Sequence, residues 1–140
     1  MTIHTSSIIH PDADLAPGVK VGPFTTIGPN VKIGEGTIIG PNVLIEAGTV
    51  IGKDCGIFHG ASLGGEPQIF NFKNVPATVE IGDGTVIREY VTIHRSGNEN
   101  GVTRVGKGCL LMAYSHLGHD CEIGDQVVIV NSTSLAGHVI

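Results

Sequence analysis

The chain has 140 residues, of which 21 are Gly and 7 are Pro, and its formal net charge is −5. Because one residue in five disfavours a helix interior, long helices, helical bundles and coiled coils are excluded. No basic run is present to neutralise phosphates, and no apolar run reaches the roughly 18 residues that cross a bilayer. Since a signal peptide is also absent, we expect a soluble cytoplasmic protein with no nucleic-acid partner and no stable membrane insertion.

A hexapeptide period runs along the chain from Ile3. At every sixth position from Ile3 to Leu135 the residue is aliphatic, with the single exception of Glu99. The fourth residue after each of these positions is nearly always small or β-branched, and all three cysteines fall there: Cys55, Cys109 and Cys121. We interpret the cysteines as small core residues, not as ligands or nucleophiles.

A hexapeptide repeat with one aliphatic and one small residue is typical of a short strand followed by a turn. Three such hexapeptides form one triangular coil of about 18 residues, so the sequence predicts an all-β, parallel β-helix. The residue after the aliphatic one is often Gly, as at Gly22, Gly34 and Gly82. We expect these glycines to supply the backbone freedom that a corner requires.

Two segments interrupt the repeat, and both are predicted to be loops that leave a corner of a coil. Residues 65–78 hold two of the six aromatic residues and two prolines, so we attribute the periodic Ile69 and Val75 to coincidence. Residues 95–104 are polar and contain Glu99. The prediction is one β-helix domain over residues 1–140, with function concentrated near these loops.

The spacing of the histidines predicts a cluster. Residues separated by three uninterrupted hexapeptides stack directly, so we expect His138 to lie over Asp120. If the loop around Glu99 replaces one hexapeptide, residues separated by four hexapeptides stack across it, as we expect for Ile93 and Leu117. Four histidines then share one edge within three coils: His94, His116, His119 and His138.

Two chemistries fit such a cluster. One histidine can act as a general base for acyl transfer, with a carboxylate to orient it and a backbone N–H to receive an oxyanion. Alternatively, three neutral imidazoles can bind Zn²⁺ and leave a position for water. The spacing alone does not separate these alternatives.

Four stretches of the sequence carry a resemblance to a known family. They are VEIGDG at 79–84, IREYVTIHR at 87–95, LLMAYSHLGHDC at 110–121 and SLAGHV at 134–139. Over its whole length the chain resembles the acyl-carrier-protein-dependent UDP-N-acetylglucosamine O-acyltransferases of lipid A synthesis. This resemblance implies a left-handed β-helix, a homotrimer, and transfer of a 3-hydroxyacyl group to the 3-hydroxyl of the nucleotide sugar, with no metal ion or cofactor.

The resemblance also implies roles for individual residues. His119 corresponds to the catalytic base, Asp120 supports its imidazole, and Gly137 supplies an oxyanion-hole N–H. The positions that correspond to substrate contacts are Gln68, His94, His116 and His138.

The chain departs from the family pattern in two places. The family's first loop usually reads Gln-Asp-Leu-Lys-Tyr, whereas this chain has Ile69 and Asn71 in place of the Asp and the Lys. The acceptor is therefore expected to be UDP-N-acetylglucosamine or a related nucleotide sugar. Family members also continue with further coils and a helical domain, so we expect the chain to correspond to their N-terminal portion.

Two other functions remain as alternatives. A γ-class carbonic anhydrase would use His94, His116 and His119 as zinc ligands on the same fold. A non-catalytic β-helix, such as a scaffold or an ice-binding solenoid, would need no cluster, although ice binders require threonine ladders that this chain lacks.

Overall fold

The computed structural model describes residues 1–140 and contains only strands, turns and loops. Twenty short strands form three parallel sheets, and consecutive strands along the chain belong to different sheets. The architecture is the parallel β-helix that the hexapeptide repeat predicts, with the left-handed coiling that the family resemblance implies. The structure has no helix long and apolar enough to cross a membrane.

Each sheet is one side of a triangular prism, with every strand paired to the strand one coil away. The first sheet contains β1 (Thr2–Ile3), β4 (Lys20–Val21), β7 (Ile38–Ile39), β10 (Gly56–Ile57), β13 (Val86–Ile87), β16 (Leu110–Leu111) and β19 (Val128–Ile129). The second contains β2 (Ile8–Ile9), β5 (Thr26–Ile27), β8 (Leu44–Ile45), β11 (Ser62–Gly65), β14 (Thr92–His94), β17 (His116–Leu117) and β20 (Ser134–Leu135). The third contains β3 (Asp14–Leu15), β6 (Lys32–Ile33), β9 (Val50–Ile51), β12 (Ala77–Ile81), β15 (Gly101–Val105) and β18 (Glu122–Ile123).

The register confirms the stacking that the histidine prediction requires. In uninterrupted coils the paired residues are separated by three hexapeptides, as for Leu117 and Leu135. Across the second loop the separation is four hexapeptides, as for Ile93 and Leu117, and across the first loop it is five. Because both insertions are whole hexapeptides, the inward and outward positions are preserved on either side of each loop.

Both loops are shorter than the sequence predicts. Only residues 66–76 and 95–100 lie between strands, because β12 and β15 extend into the predicted loops. These two strands pair along their whole length, from Ala77 with Gly101 to Ile81 with Val105. The added ladder hydrogen bonds explain why the polar residues of 101–104 adopt strand structure.

The core follows the hexapeptide period. The aliphatic and small positions point inward, and 25 buried hydrophobic residues form one cluster. All three cysteines are buried and unpaired, which confirms them as core residues. The Cys109 and Cys121 thiols each donate to a carbonyl of the next coil, at 3.1 Å, as the Thr25 hydroxyl does at 2.7 Å.

The corner glycines have a different role from the one predicted. Residues with a positive, left-handed φ lie mostly three positions after the aliphatic residue and rarely directly after it. Many of them are Asn or Asp. Gly34 and Gly82 have no positive φ, but a Cβ on them would lie 2.5 and 2.6 Å from the carbonyl carbons of Gly52 and Gly106. These glycines are therefore required by the close approach of stacked coils.

This finding predicts a difference between two glycines that have no positive φ. Gly34→Ala should lower the free energy of unfolding by about 1–3 kcal/mol, because backbone atoms of the next coil must move to admit the Cβ. Gly56→Ala should not lower it, because the atom nearest to that Cβ, Cε2 of Phe58, lies at 3.5 Å, an ordinary contact distance. Urea denaturation measures both, and equal losses would contradict the steric explanation.

Candidate active site

His119 and Asp120 form a hydrogen-bonded pair at the corner between the second and third sheets. The Nδ1 atom of His119 lies 2.8 Å from Oδ2 of Asp120, and the two side chains are 21% and 13% exposed. Asp120 has the left-handed φ of 61° that this corner position requires, and Asp tolerates it better than most residues. Its N–H donates to Oγ1 of the buried Thr103 at 2.9 Å, which anchors the corner.

The second loop surrounds the Asp120 carboxylate with donors. Ser96 Oγ and Asn98 Nδ2 donate to Oδ1, the latter at 3.2 Å, and the Gly97 N–H donates to Oδ2 at 3.1 Å. Burial alone raises the pKa of Asp120, but hydrogen bonds from Ser96, His119, Gly97 and Asn98 outweigh it and lower the pKa to about 2. Asp120 is therefore ionised at neutral pH.

This ionisation determines the tautomer of His119. An ionised carboxylate only accepts hydrogen bonds, so the hydrogen between the two groups belongs to Nδ1 of His119. In the neutral ring the Nε2 atom then carries a lone pair. A Cβ on Gly137 would lie 2.5 Å from this Nε2, so the absence of a side chain at Gly137 keeps the space beside it open.

Among residues 1–140 the N–H of Gly137 has no hydrogen-bond acceptor. It occupies the position two residues after the aliphatic one, where five other corners have proline and therefore no N–H: Pro11, Pro17, Pro23, Pro29 and Pro41. At the same position the N–H groups of Lys53 and Lys107 bind side-chain carboxylates, of Asp83 at 2.8 Å and of Asp125 at 2.7 Å. An N–H at this corner position can thus bind an anionic oxygen.

His94 and His116 lie on the second sheet beside this corner. Their rings meet edge to face with centroids 5.0 Å apart, and His116 Nδ1 lies 2.7 Å from Thr92 Oγ1. Burial lowers the pKa of both rings, and repulsion from Arg95 and from the protonated forms of His116 and His119 lowers the pKa of His94 further. Both imidazoles are accordingly neutral at pH 7.

Five of the seven predicted site residues line one cavity of about 360 Å³, and Asp120 is hydrogen-bonded to one of them, His119. It contains Gln68 of the first loop together with His94, His116, His119 and Gly137. His138 lies at its edge, with its ring 4.9 Å from that of His119 and its Nε2 3.8 Å from Oδ2 of Asp120. The structure therefore brings together every site residue that the sequence predicts.

The zinc alternative requires His94, His116 and His119 to converge, and they do not form such a group. The one set of three metal-ligating side chains with donor atoms within 4.8 Å is His119, Asp120 and His138. Its Asp120 Oδ2 already accepts hydrogen bonds from His119 Nδ1 and Gly97 N, which leaves that oxygen no free lone pair. The donor set therefore favours a hydrogen-bonded pair over a metal centre.

Sequence analysis did not identify Ser96, Gly97 and Asn98 as site residues. A signal was present, because the register that stacks Leu117 on Ile93 also places Asp120 over residue 96. The arrangement of loop donors around the carboxylate is not encoded in the period, so it became visible only in the structure.

The fold and the site together define a class. The fold is a left-handed β-helix of hexapeptide repeats with a His–Asp pair at one corner, and the chain matches the family model for the bacterial transferase hexapeptide (six repeats) at residues 12–47 and 103–137. The chain belongs to this family.

Its relatives confirm the resemblance seen in the sequence. An acyl-(acyl-carrier-protein)–UDP-N-acetylglucosamine O-acyltransferase of Alkalilimnicola ehrlichii is 57% identical over 98% of this chain and 54% of its own length. That of Xylella fastidiosa is 51% identical over 98% and 52%. The crystal structure of the Francisella novicida UDP-N-acetylglucosamine acyltransferase superimposes with a TM-score of 0.95 at 43% identity, covering 98% of this chain and 50% of that one. The chain thus spans about half the length of these relatives.

The buried Asp120 predicts a pH-dependent contribution to stability. Its pKa is lowered from 3.8 to about 2 in the folded state, so the stabilisation is complete above pH 4 and is lost as the pH falls towards 2. The difference in free energy of unfolding between the unsubstituted protein and Asp120→Asn should be largest near pH 6 and shrink between pH 4 and pH 2.

Denaturant titrations at several pH values measure this difference. Asp14→Asn is the control, since that exposed carboxylate accepts no hydrogen bond, and it should show a smaller change over the same range. A difference for Asp120→Asn that is independent of pH would contradict the assignment.

Proposed function

We propose that the protein transfers a 3-hydroxyacyl group from acyl carrier protein to the 3-hydroxyl of UDP-N-acetylglucosamine or of a related nucleotide sugar. The observation that carries this proposal is the His119–Asp120 pair, whose geometry leaves Nε2 of His119 as an acceptor beside the free N–H of Gly137. The names of the similar relatives support the same reaction.

In the proposed step His119 is the general base. Its Nε2 takes the proton of the sugar hydroxyl while the hydroxyl oxygen attacks the thioester carbonyl carbon. The C–S bond then breaks, and the proton passes from the imidazolium to the departing thiolate. Asp120 stabilises the imidazolium through Nδ1, so the reaction needs no covalent enzyme intermediate, metal ion or cofactor.

Gly137 is proposed to stabilise the oxyanion that forms on the thioester carbonyl. Its N–H is available, and the N–H groups at the same corner position of other coils bind carboxylate oxygens. Backbone donors fixed before the reaction need no reorganisation as negative charge develops.

The acceptor sugar is proposed to bind through Gln68, His94, His116 and His138. The neutral imidazoles of His94 and His116 can both donate to and accept from hydroxyl groups, which suits an uncharged sugar ring. The Ile69 side chain packs towards Gly97, since a Cβ on that glycine would lie 2.6 Å from Ile69 Cδ1. With no charged side chain at residues 69 and 71, the acceptor extends to nucleotide sugars related to UDP-N-acetylglucosamine.

We further propose that the protein is a homotrimer in the cytoplasm and that its protein partner is acyl carrier protein. The outward residues of the first sheet are largely apolar, and Ile38 and Val128 are 53% and 57% exposed. A shallow groove of about 610 Å³ lies on the same face, between Ile38 and Val86 and above Gly56. An apolar face of this kind supports contact with a second copy of the chain.

The role of His119 can be tested by substituting this residue in the protein expressed from its entire gene. His119→Ala should lower the rate of acyl transfer about 10²–10⁴-fold, because the base is lost. His10→Ala, which removes an exposed imidazole in the first coil, should keep the full rate.

Transfer is measured with a 3-hydroxyacyl carrier protein and UDP-N-acetylglucosamine. Retention of most of the activity by His119→Ala would show that His119 is not the base. Stoichiometric zinc in the active, purified protein would favour the carbonic-anhydrase alternative instead, and a complete lack of transfer would favour a non-catalytic β-helix.

The proposed trimer interface predicts the effect of charge on the first sheet. Ile38→Lys and Val128→Lys should convert trimer to monomer in sedimentation-velocity experiments, because each places an ammonium group in an apolar contact. Val50→Lys, which adds the same charge to the outer face of the third sheet, should remain trimeric. If the first-sheet variants sediment as the unsubstituted protein does, this face is not part of the trimer interface.

A further inference from the structure

Ser96 is a buried hydroxyl beside the site, and the acyl-transfer mechanism described above gives it no part. The residue is completely inaccessible to solvent. It lies at the start of the second loop, directly beneath Asp120, and its Oγ contacts Oδ1 of the Asp120 carboxylate. A buried hydroxyl in such contact with a buried carboxylate is expected to fix that carboxylate.

The direction of this hydrogen bond follows from its neighbours. The N–H of Asn98 donates to Ser96 Oγ at 3.0 Å, so the oxygen already acts as an acceptor. The ionised carboxylate cannot donate, so the Ser96 hydrogen is directed to Oδ1 of Asp120. Backbone N–H, serine hydroxyl, carboxylate and imidazole thus form one chain, from Asn98 through Ser96 and Asp120 to His119.

The two oxygens of Asp120 are held by different groups. Oδ2 faces His119 and Gly97, whereas Oδ1 faces Ser96 and Asn98. A carboxylate fixed through one oxygen alone can rotate about its Cβ–Cγ bond. The donors on Oδ1 prevent this rotation, so they define the plane in which Oδ2 meets the His119 ring.

The loop that contains Ser96 is itself anchored at both ends. The N–H of Arg95 donates to the Gly65 carbonyl at 3.0 Å, and the N–H of Asn100 donates to the Pro76 carbonyl at 2.6 Å. Both acceptors flank the first loop, so the two insertions support each other. Ser96 is therefore presented to Asp120 by a short turn that is fixed in place.

We propose that Ser96 is a positioning residue that holds the Asp120 carboxylate in the orientation which keeps His119 protonated on Nδ1 and leaves Nε2 free. This inference deepens the proposed function and rests on it for the effect on acyl transfer. The effect on the orientation and titration of the His–Asp pair does not depend on the reaction.

The first experiment is NMR spectroscopy of the unreacted protein. In Ser96→Ala the titration midpoint of the Asp120 carboxyl carbon should rise by about one pH unit, the shift expected for the loss of one hydrogen bond to a charged group. The ¹⁵N shifts of His119 should change from one Nδ1-protonated tautomer to a mixture of both. Ser96→Thr, which keeps the hydroxyl, should retain the pattern of the unsubstituted protein.

Ser115→Ala is the matched control, because it deletes an equally buried serine hydroxyl that has no hydrogen-bond partner. It should leave the titration of Asp120 and the tautomer of His119 unchanged. Asn98→Ala, which removes a more exposed donor to the same Oδ1, provides a second variant that tests the orientation if Ser96→Ala does not fold. Unchanged Asp120 and His119 signals in both variants would overturn the proposal.

The second experiment measures acyl transfer by the same variants. Ser96→Ala should lower kcat about 10-fold while the KM for the nucleotide sugar stays within about twofold, and Ser96→Thr should restore most of kcat. An equal loss in Ser115→Ala would indicate a general effect of buried hydroxyl removal and would overturn the positioning role. If the unsubstituted protein transfers no acyl group, the proposed function fails, whereas the NMR result still decides the role of Ser96.

Discussion

The stacking of one coil on the next is the constraint on which the rest of the structure depends. Each strand is very short and gains its hydrogen bonds from strands one coil away. The coils approach so closely that a Cβ on Gly34 would meet the carbonyl group of Gly52. Residues at equal positions of successive coils are therefore brought into contact, and this contact assembles the site from residues distant in sequence.

The loops add function without breaking this stacking. The first inserts two hexapeptides and the second inserts one, so each coil resumes with its inward and outward positions unchanged. Across the second insertion Leu117 still stacks on Ile93, and the strand that carries His116 keeps its register with the strand that carries His94. The insertions thus bring additional side chains to the site while the packing of the prism is kept.

Sequence alone predicted the elements that the period controls. The β-helix, the core position of the cysteines and the gathering of four histidines all follow from counting residues. The loop bounds and the role of the corner glycines were wrong, because strand pairing between the loops and the clearance between coils are three-dimensional properties. The role of Ser96 was not predicted for a related reason, because the hexapeptide period does not determine where a loop side chain points.

The second loop supplies the Asp120 carboxylate with hydrogen-bond donors that the β-helix corner alone does not provide. A half-buried carboxylate loses hydration, and burial alone would favour its neutral form, which could not fix the tautomer of His119. Outside the second loop, the Asp120 carboxylate is hydrogen-bonded to a single group, the imidazole of His119. The inserted hexapeptide adds a hydroxyl, an amide side chain and a free N–H, and these three donors keep the carboxylate ionised. The insertion in the repeat thus supports the proposed role of His119 as a general base.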